Sequence, residues 1–433
     1  MKALVFDKSK YDWETSKGFE LVEIPEPVLG AGDEDKIILK VAYAGVCGTD
    51  RGIWNRQAFK EQILNSIDAE SKSTVIARPS ASEGAAIPSV KEIASDALAM
   101  TKPKTYRQLG HEFFGQVKEV GSNVKDIAIG DFVACESHVV CNKCFQCLNG
   151  QKNVCTNEKI LGISVDGGFA QMAKVPAQVA WKVDMSKVRP EVAVLHEPFG
   201  NAVHAASKVN LKDKTVAIFG LGPIAQFLVL IAKGLGAKTI IGIEPNEKAL
   251  EMGRKLGVDH VIKLSVIARP SASEAAAISS KDKIASDALA MTSKPYAHNQ
   301  EVVEEIMNLT GGLGVDVSFE MAGFNDSVNN SIASVRRGGE VILFGLKTGD
   351  FVFEDYNRLV MKGITMYCVA GRQLWGTWEI TKKLLESSEN GIAEKLWTVL
   401  LNNGDGTILP IGEYNKEKFE EMMKNNPKIL IKF

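Results

Sequence analysis

Four cysteines lie within one short stretch, Cys141-x-x-Cys144-x-x-Cys147-x₇-Cys155. Thiolates at these turn-compatible spacings can close a tetrahedral zinc site with no vacant position, and such a site is structural. An iron–sulfur cluster takes the same ligands, but the uneven last spacing and the lack of a second cysteine set count against it. A second constellation mixes its donors. Cys47 stands in Gly45-Val-Cys47-Gly-Thr49-Asp50, and His111-Glu112 follows Gly110 before another β-like run. Cysteine, histidine and carboxylate are the ligand types of catalytic zinc, which keeps a position open for water or substrate. Glu197, in Leu195-His-Glu197-Pro-Phe-Gly-Asn-Ala-Val-His204, lies between this half of the chain and the next and is a candidate for the metal's neighbourhood. Cys135 and Cys368 stand apart and are expected to be buried small hydrophobes.

A third chemistry is carried by Lys214 to Glu244. Thr215 to Phe219 is a β-branched run without polar interruption, as a strand buried on both faces should be. Gly220-Leu221-Gly222-Pro223-Ile224-Ala225 follows as a G-x-G-x-x-A turn that opens a helix over Ile224 to Leu235. Gly220 permits the turn, Gly222 lets the backbone approach a pyrophosphate at the helix N-terminus, and Ala225 allows close helix–strand packing. Thr239 to Ile243 is the next strand. Glu244 ends it at the distance where a carboxylate binds the ribose hydroxyls of NAD, and where a 2′-phosphate would meet like charge.

These residues need elements to hold them. Before residue 45, short alternating runs such as Phe19 to Ile24 and Lys36 to Tyr43 predict a small antiparallel, barrel-like domain. After Glu244 the pattern predicts helix Glu247 to Leu256, strand His260 to Lys263, helix Val302 to Leu309, strand Val315 to Glu320, helix Ser327 to Val335 and strand Glu340 to Phe344. That alternation specifies a doubly wound parallel sheet. The expected organisation is a zinc-binding domain over 1–193, a dinucleotide domain over 194–347, and a return to the first domain over 348–433, with a C-terminal strand Lys428 to Phe433. Two near-copies of one segment interrupt this plan: Val75 to Thr101 and Val266 to Thr292 are identical at 22 of 27 positions. They read as surface insertions, about 70–107 and 265–298, hosted where loops tolerate length.

Composition narrows the function. The chain has 433 residues, 45% hydrophobic and 24% charged, with a net charge of −2, so neither nucleic acid nor an acidic membrane surface is implied as a partner. No apolar run reaches membrane-spanning length and no signal peptide is read before the first strand, so a cytoplasmic protein is the expectation.

With the two copies set aside, the chain resembles the zinc-dependent medium-chain alcohol dehydrogenase superfamily over nearly its full length, and within it the L-threonine 3-dehydrogenase branch. Cys47-Gly-Thr-Asp, Gly110-His-Glu, the Glu136-Ser-His run into the cysteine cluster, Glu197-Pro-Phe-Gly-Asn-Ala-Val-His and Ala370-Gly-Arg-Gln-Leu-Trp-Gly-Thr-Trp carry the resemblance. It implies a GroES-like β-rich catalytic domain beside a Rossmann domain, two zinc ions, NAD, and a homo-oligomer, a tetramer. Cys47, His111 and Glu112 would hold the catalytic zinc, Glu197 would be an intermittent ligand or proton-relay carboxylate, and Asp50 would orient His111. Thr49 would start the proton's exit. Ile224, Glu244, Gly345, Leu346, Val369 and Ala370 match positions that line NAD. The implied reaction is oxidation of L-threonine to 2-amino-3-oxobutyrate. Two departures stand out. The relay histidine three positions after Thr49 is Gly52 here, preceded by Arg51, and the arginine five after the ribose-binding acid is Ala249. The first also resembles some sugar dehydrogenases, which keeps a polyol or sugar substrate open. A catalytically impaired zinc protein is the remaining alternative.

Overall fold

The computed structural model describes residues 1–76, 103–264, 298–346 and 350–433. All of the second repeat copy and the first beyond Ile76 lie outside these residues. The described chain divides into two units, Met1–Glu197 with Gly404–Phe433, and Pro198–Asn403.

In the first unit the alternating runs form strands. β1 (Lys2–Asp7) pairs antiparallel with β2 (Glu20–Glu23), Leu4 opposite Leu21, and on its other side with β4 (Tyr106–Gln108). β3 (Lys36–Val46) is the longest strand and pairs with β5 (Glu112–Val120) in a register that sets Gly45 opposite Glu112. That register governs the chemistry. Cys47 lies just beyond the end of β3 and His111 just before β5, so a separation of 64 positions does not keep the two side chains apart. β6 (Phe132–Cys135), β9 (Met172–Pro176) and β10 (Ala180–Lys182) extend the same sheet, and the two-residue strands β7 (His138–Val139) and β8 (Lys159–Ile160) flank the cysteine cluster. A core of Leu39, Val41, Trp54, Phe113, Phe169 and their neighbours fills the unit.

Among the described residues, two helices lie between β3 and β4. α1 (Gly48–Trp54) starts at Cys47, and α2 (Lys60–Ile76) runs toward the first repeat copy. The sequence pattern does not single out α2, in which, among the described residues, Ile63 and Ile67 are the buried apolar ones, one turn apart. Polar contacts fix it instead. Fully buried Arg107 donates to Glu70 and Ser66 of α2 and to Asp166, so the flanks of the inserted segment are pinned to the sheet.

The second unit is a six-stranded parallel sheet in the order β13-β12-β11-β14-β15-β16. Its strands are β11 (Thr215–Phe219), β12 (Thr239–Glu244), β13 (His260–Lys263), β14 (Val315–Glu320), β15 (Val335–Leu343) and β16 (Thr365–Cys368). The helices α3 (His196–Ala206), α4 (Pro223–Gly234), α5 (Glu247–Leu256), α6 (Gln300–Leu309) and α7 (Asn325–Ser334) alternate with them. The strand order reverses between β11 and β14, which makes that junction the switch point of a doubly wound sheet.

The third expected segment needs correcting. Residues 350–403 do not return to the first domain: β16 adds the sixth parallel strand beside β15, and the chain rejoins the first unit only from Gly404. There β17 (Ile408–Pro410) and β18 (Ile429–Lys432) join the sheet, β18 antiparallel to β3 with Ile429 opposite Val46, giving the order β10-β6-β5-β3-β18-β17. Cys368, expected to be buried, is exposed because β16 is the sheet's edge.

Candidate metal centres and dinucleotide turn

The cysteine cluster folds as a knuckle. Cys141 donates its backbone N–H to Cys155 Sγ at 3.4 Å, and Cys144 donates its own to Cys141 Sγ at 3.3 Å. All four sulfurs lie within 4.8 Å of one another, and no cysteine of the chain is in a disulfide. The Cys147 backbone N–H leads the contacts that lower the Cys144 thiol to about 5, while burial pushes Cys147 up to about 12. Four thiolates in so small a space repel, and a divalent cation at their centre removes the conflict. The residues therefore fit a structural zinc.

At the second centre Cys47 Sγ lies 3.0 Å from His111 Nε2. Asp50 Oδ2 accepts the Cys47 backbone N–H at 3.0 Å, and Asp50 Oδ1 lies 3.6 Å from His111 Nδ1. Cys47, Asp50 and His111 offer donor atoms within 4.8 Å of one another. The two imidazole nitrogens point apart, so a metal shared by Cys47 and the near nitrogen has Asp50 at the other. The geometry makes Asp50 the carboxylate that fixes the ring and its tautomer. Burial opposes the His111 imidazolium, yet Cys47 and Asp50, with a smaller contribution from Glu197, outweigh it and raise the group well above its ordinary value. Burial, helped by Asp50, raises the Cys47 thiol. Thiol and imidazole thus compete for protons, and a metal satisfies both. His111 Nδ1 and Asp50 Oδ1 are buried without a hydrogen bond among the described residues, which also fits a site completed by an ion. The turn into it demands glycine: Gly110 has φ +85°, and a Cβ there would lie 2.1 Å from the Phe169 ring.

Glu112 is adjacent but faces elsewhere. Its Oε2 pairs with Lys428 Nζ, and both side chains are all but fully buried. Lys428 had no signal in the sequence, since a lone lysine before a strand looks like any surface lysine. Arg51, beside the position of the missing relay histidine, is turned away from that role: its guanidinium donates to the carbonyls of Asn426 at 2.7 Å and Pro427 at 3.4 Å. A Cβ at Gly52 would come within 2.9 Å of Ala58 Cβ, so a larger side chain there requires the following turn to move. Thr49 is half-buried in the first turn of α1, and Glu197 is buried at the start of α3. His138 stands 3.4 Å from Glu158, while His196 and His204 bond to the backbone carbonyls of Ala193 and Gly371.

In the second unit Gly220, at φ +89°, turns the chain out of β11, and Gly222 caps α4 with no side-chain cap of its own. A Cβ at Gly222 would touch nothing within 4 Å, so the helix N-terminus is open to an anionic group. Glu244 Oε2 accepts the Leu221 N–H at 2.8 Å and Oε1 accepts the Asn246 N–H at 3.0 Å, which holds the acid beside the turn. Ile224 lies in the first turn of α4, Gly345 and exposed Leu346 follow β15, and Val369 and Ala370 follow β16. Gly220, Glu244, Gly345 and Val369 thus all stand at the C-terminal ends of parallel strands, the edge where doubly wound sheets bind nucleotides. The donor pattern fits a dinucleotide.

The chain belongs to the zinc-binding medium-chain alcohol dehydrogenase superfamily. Residues 223–387 match the zinc-binding dehydrogenase family and residues 86–185 the alcohol dehydrogenase GroES-like domain. Among curated relatives, L-threonine 3-dehydrogenase of Pyrococcus horikoshii is 32% identical over 374 residues, 86% of this chain and 85% of that protein. The Pyrococcus furiosus enzyme of the same name is 32% identical over 394 residues, 90% and 89% of the two chains. The fold is that of an alcohol dehydrogenase from Thermus sp. ATN1 (TM-score 0.70, 21% identity, covering 100% and 99% of the chains). It is equally that of an Escherichia coli short chain alcohol dehydrogenase solved with NADH (TM-score 0.69, 20% identity, 100% and 99%).

Proposed function

We propose that the protein is a zinc-dependent NAD dehydrogenase that oxidises L-threonine at its 3-hydroxyl to 2-amino-3-oxobutyrate. The observation that carries the class is the pairing of Cys47 with His111 at an Asp50-braced centre, in a chain that also holds a Glu244-terminated glycine turn. The substrate rests on the relatives named L-threonine 3-dehydrogenase. Cys47 and His111 would hold the catalytic zinc, with Glu112, paired to Lys428 here, as a third candidate ligand and Glu197 as a candidate neighbour. The other zinc sits among Cys141, Cys144, Cys147 and Cys155. Zinc supplies a Lewis acid that lowers the pKa of the substrate hydroxyl. When bound, NAD would supply the acceptor for the C3 hydrogen and its bonding pair. The residues do the rest. Asp50 fixes the ring of His111. Thr49 accepts the hydroxyl proton and passes it to water or Glu197, because neither Gly52 nor Arg51 offers a base. Glu244 holds the adenosine ribose, and Gly220, Gly222 and Ile224 the pyrophosphate side. Gly345, Leu346, Val369 and Ala370 line the nicotinamide half.

The missing relay histidine favours a second reading, a polyol or sugar dehydrogenase with the same apparatus. Both are tested by NADH formation with L-threonine, sorbitol, butane-2,3-diol and glucose, each with NAD and NADP. Turnover of L-threonine with NAD supports the first reading, and turnover of a polyol or sugar alone replaces it with the second. We further propose a cytoplasmic homotetramer. Cysteines gathered for metal rather than disulfides suit a reducing compartment. The free side of edge strand β16, with exposed Tyr356, Val360 and Met361 nearby in sequence, suits association with a second copy.

A further inference from the structure

We infer that Glu320 is a fixed negative charge beneath the nicotinamide half of the dinucleotide site, and that it favours the oxidised cofactor over the reduced one. The inference rests on the NAD reading of this unit. Glu320 is the last residue of β14, opposite Phe219 at the switch point, and is fully buried. Glu244, at the end of β12, claims one ribose on one side of that junction. The other half of a dinucleotide then lies over the ends of β14, β15 and β16.

Glu320 sits where three turns meet. Its Oε1 accepts the backbone N–H groups of Ala322 at 2.9 Å and Gly323 at 2.7 Å, and the hydroxyl of Ser327. Its main-chain oxygen accepts the N–H groups of Phe344 at 3.0 Å and Gly345 at 3.1 Å. A Cβ on Gly345 would stand 2.6 Å from Oε2, and a Cβ on Gly220 would stand 2.9 Å from that of Ala322. The acid therefore underlies both the glycine turn and the Gly345–Leu346 loop.

Building those turns uses only Oε1. Oε2 is buried with no hydrogen-bond partner among the described residues. A buried acceptor left this way is unfavourable, and a turn alone does not require the second oxygen. Oxidised nicotinamide carries a positive charge that dihydronicotinamide lacks. A carboxylate in a water-poor site interacts with that difference, and only a differential interaction can shift the balance between two bound forms. Glu320 is thus a positioning residue for charge, acting through the shelf it builds.

The test is binding, independent of turnover. Kd values for NADH and NAD are measured by fluorescence titration and competition on the full-length zinc-loaded protein, its E320Q variant and its S327A variant. E320Q is expected to weaken NAD about tenfold while moving NADH less than about twofold. S327A, which removes one donor to Oε1 and leaves the charge, should move both forms by a common factor. Equal weakening of both forms in E320Q would overturn the inference and leave Glu320 a structural acid. A wild-type protein that binds neither form would instead refute the NAD reading. Should E320Q fail to fold, E320D withdraws the charge by one methylene and should shift the same ratio in the same direction by about threefold. An unchanged ratio there overturns the inference equally.

Discussion

Replacing Lys428 by methionine removes a charge from the catalytic unit while keeping the length of the side chain. In the native protein its ammonium pairs with Glu112 Oε2, and the two side chains are 1% and 2% exposed. Gly45 packs against the same carboxylate, so the pair has almost no water to fall back on. Taking away one partner strands a charge in a low-dielectric interior, which costs about 3–5 kcal/mol. The double variant K428M/E112Q strands nothing and should recover at least about 2 kcal/mol of that loss. Urea titration of the zinc-loaded protein, followed in the transition of the unit that holds Trp13, Trp54 and Trp181, reads these values. The same variant frees a carboxylate one residue from His111, so competition with a chromophoric chelator should show tighter zinc in K428M than in the double variant. A loss under about 1 kcal/mol in K428M, or strictly additive effects, would refute the claim that the buried pair restrains Glu112.

Other residues give separable outcomes. C144S should release the structural zinc and unfold the cysteine lobe, seen as loss of one zinc per chain by elemental analysis, because the closed site is itself folding energy. Burial works against the Asp316 carboxylate, but the Thr215 N–H at 2.9 Å and Arg336 at 2.7 Å outweigh it and lower its pKa. A depressed carboxyl stabilises the fold above its unfolded value of about 3.9 and loses that contribution as pH falls through the folded value. D316N should therefore cost about 1 kcal/mol at neutral pH, with the gap to wild type closing in acid, as pH-dependent urea titrations would show. Phe227, fully buried in α4, should cost about 3–5 kcal/mol on replacement by alanine, read as a lower urea midpoint of the dinucleotide unit.

Much of this was legible because it is local. β11 is a β-branched run without charge, and β13 and β14 are short runs rich in valine, isoleucine and phenylalanine bounded by glycine or polar turns, so pattern alone places all three at their observed ends. The cysteine spacing likewise encodes its own geometry. What the pattern could not supply comes from distant chain. Lys428 lies 316 positions from Glu112, and nothing around it marks it as buried. Glu320 ends a well-recognised strand, but its isolation appears only when the turns after β14 and β15 close over it. Helix α2 carries too few apolar residues for its period to show, and its anchor Arg107 lies beyond the inserted segment. The domain return is misplaced in sequence because 350–403 contains ordinary helices and one short strand, and only pairing with β15 assigns them.

The metal content of the purified protein tests the two zinc sites most directly. Elemental analysis should find two zinc ions per chain, one among Cys141, Cys144, Cys147 and Cys155 and one at Cys47 and His111. C47S should lose one of them and keep the other. A single zinc in the wild-type protein, undiminished in C47S, would contradict the assignment of a catalytic metal to Cys47 and His111.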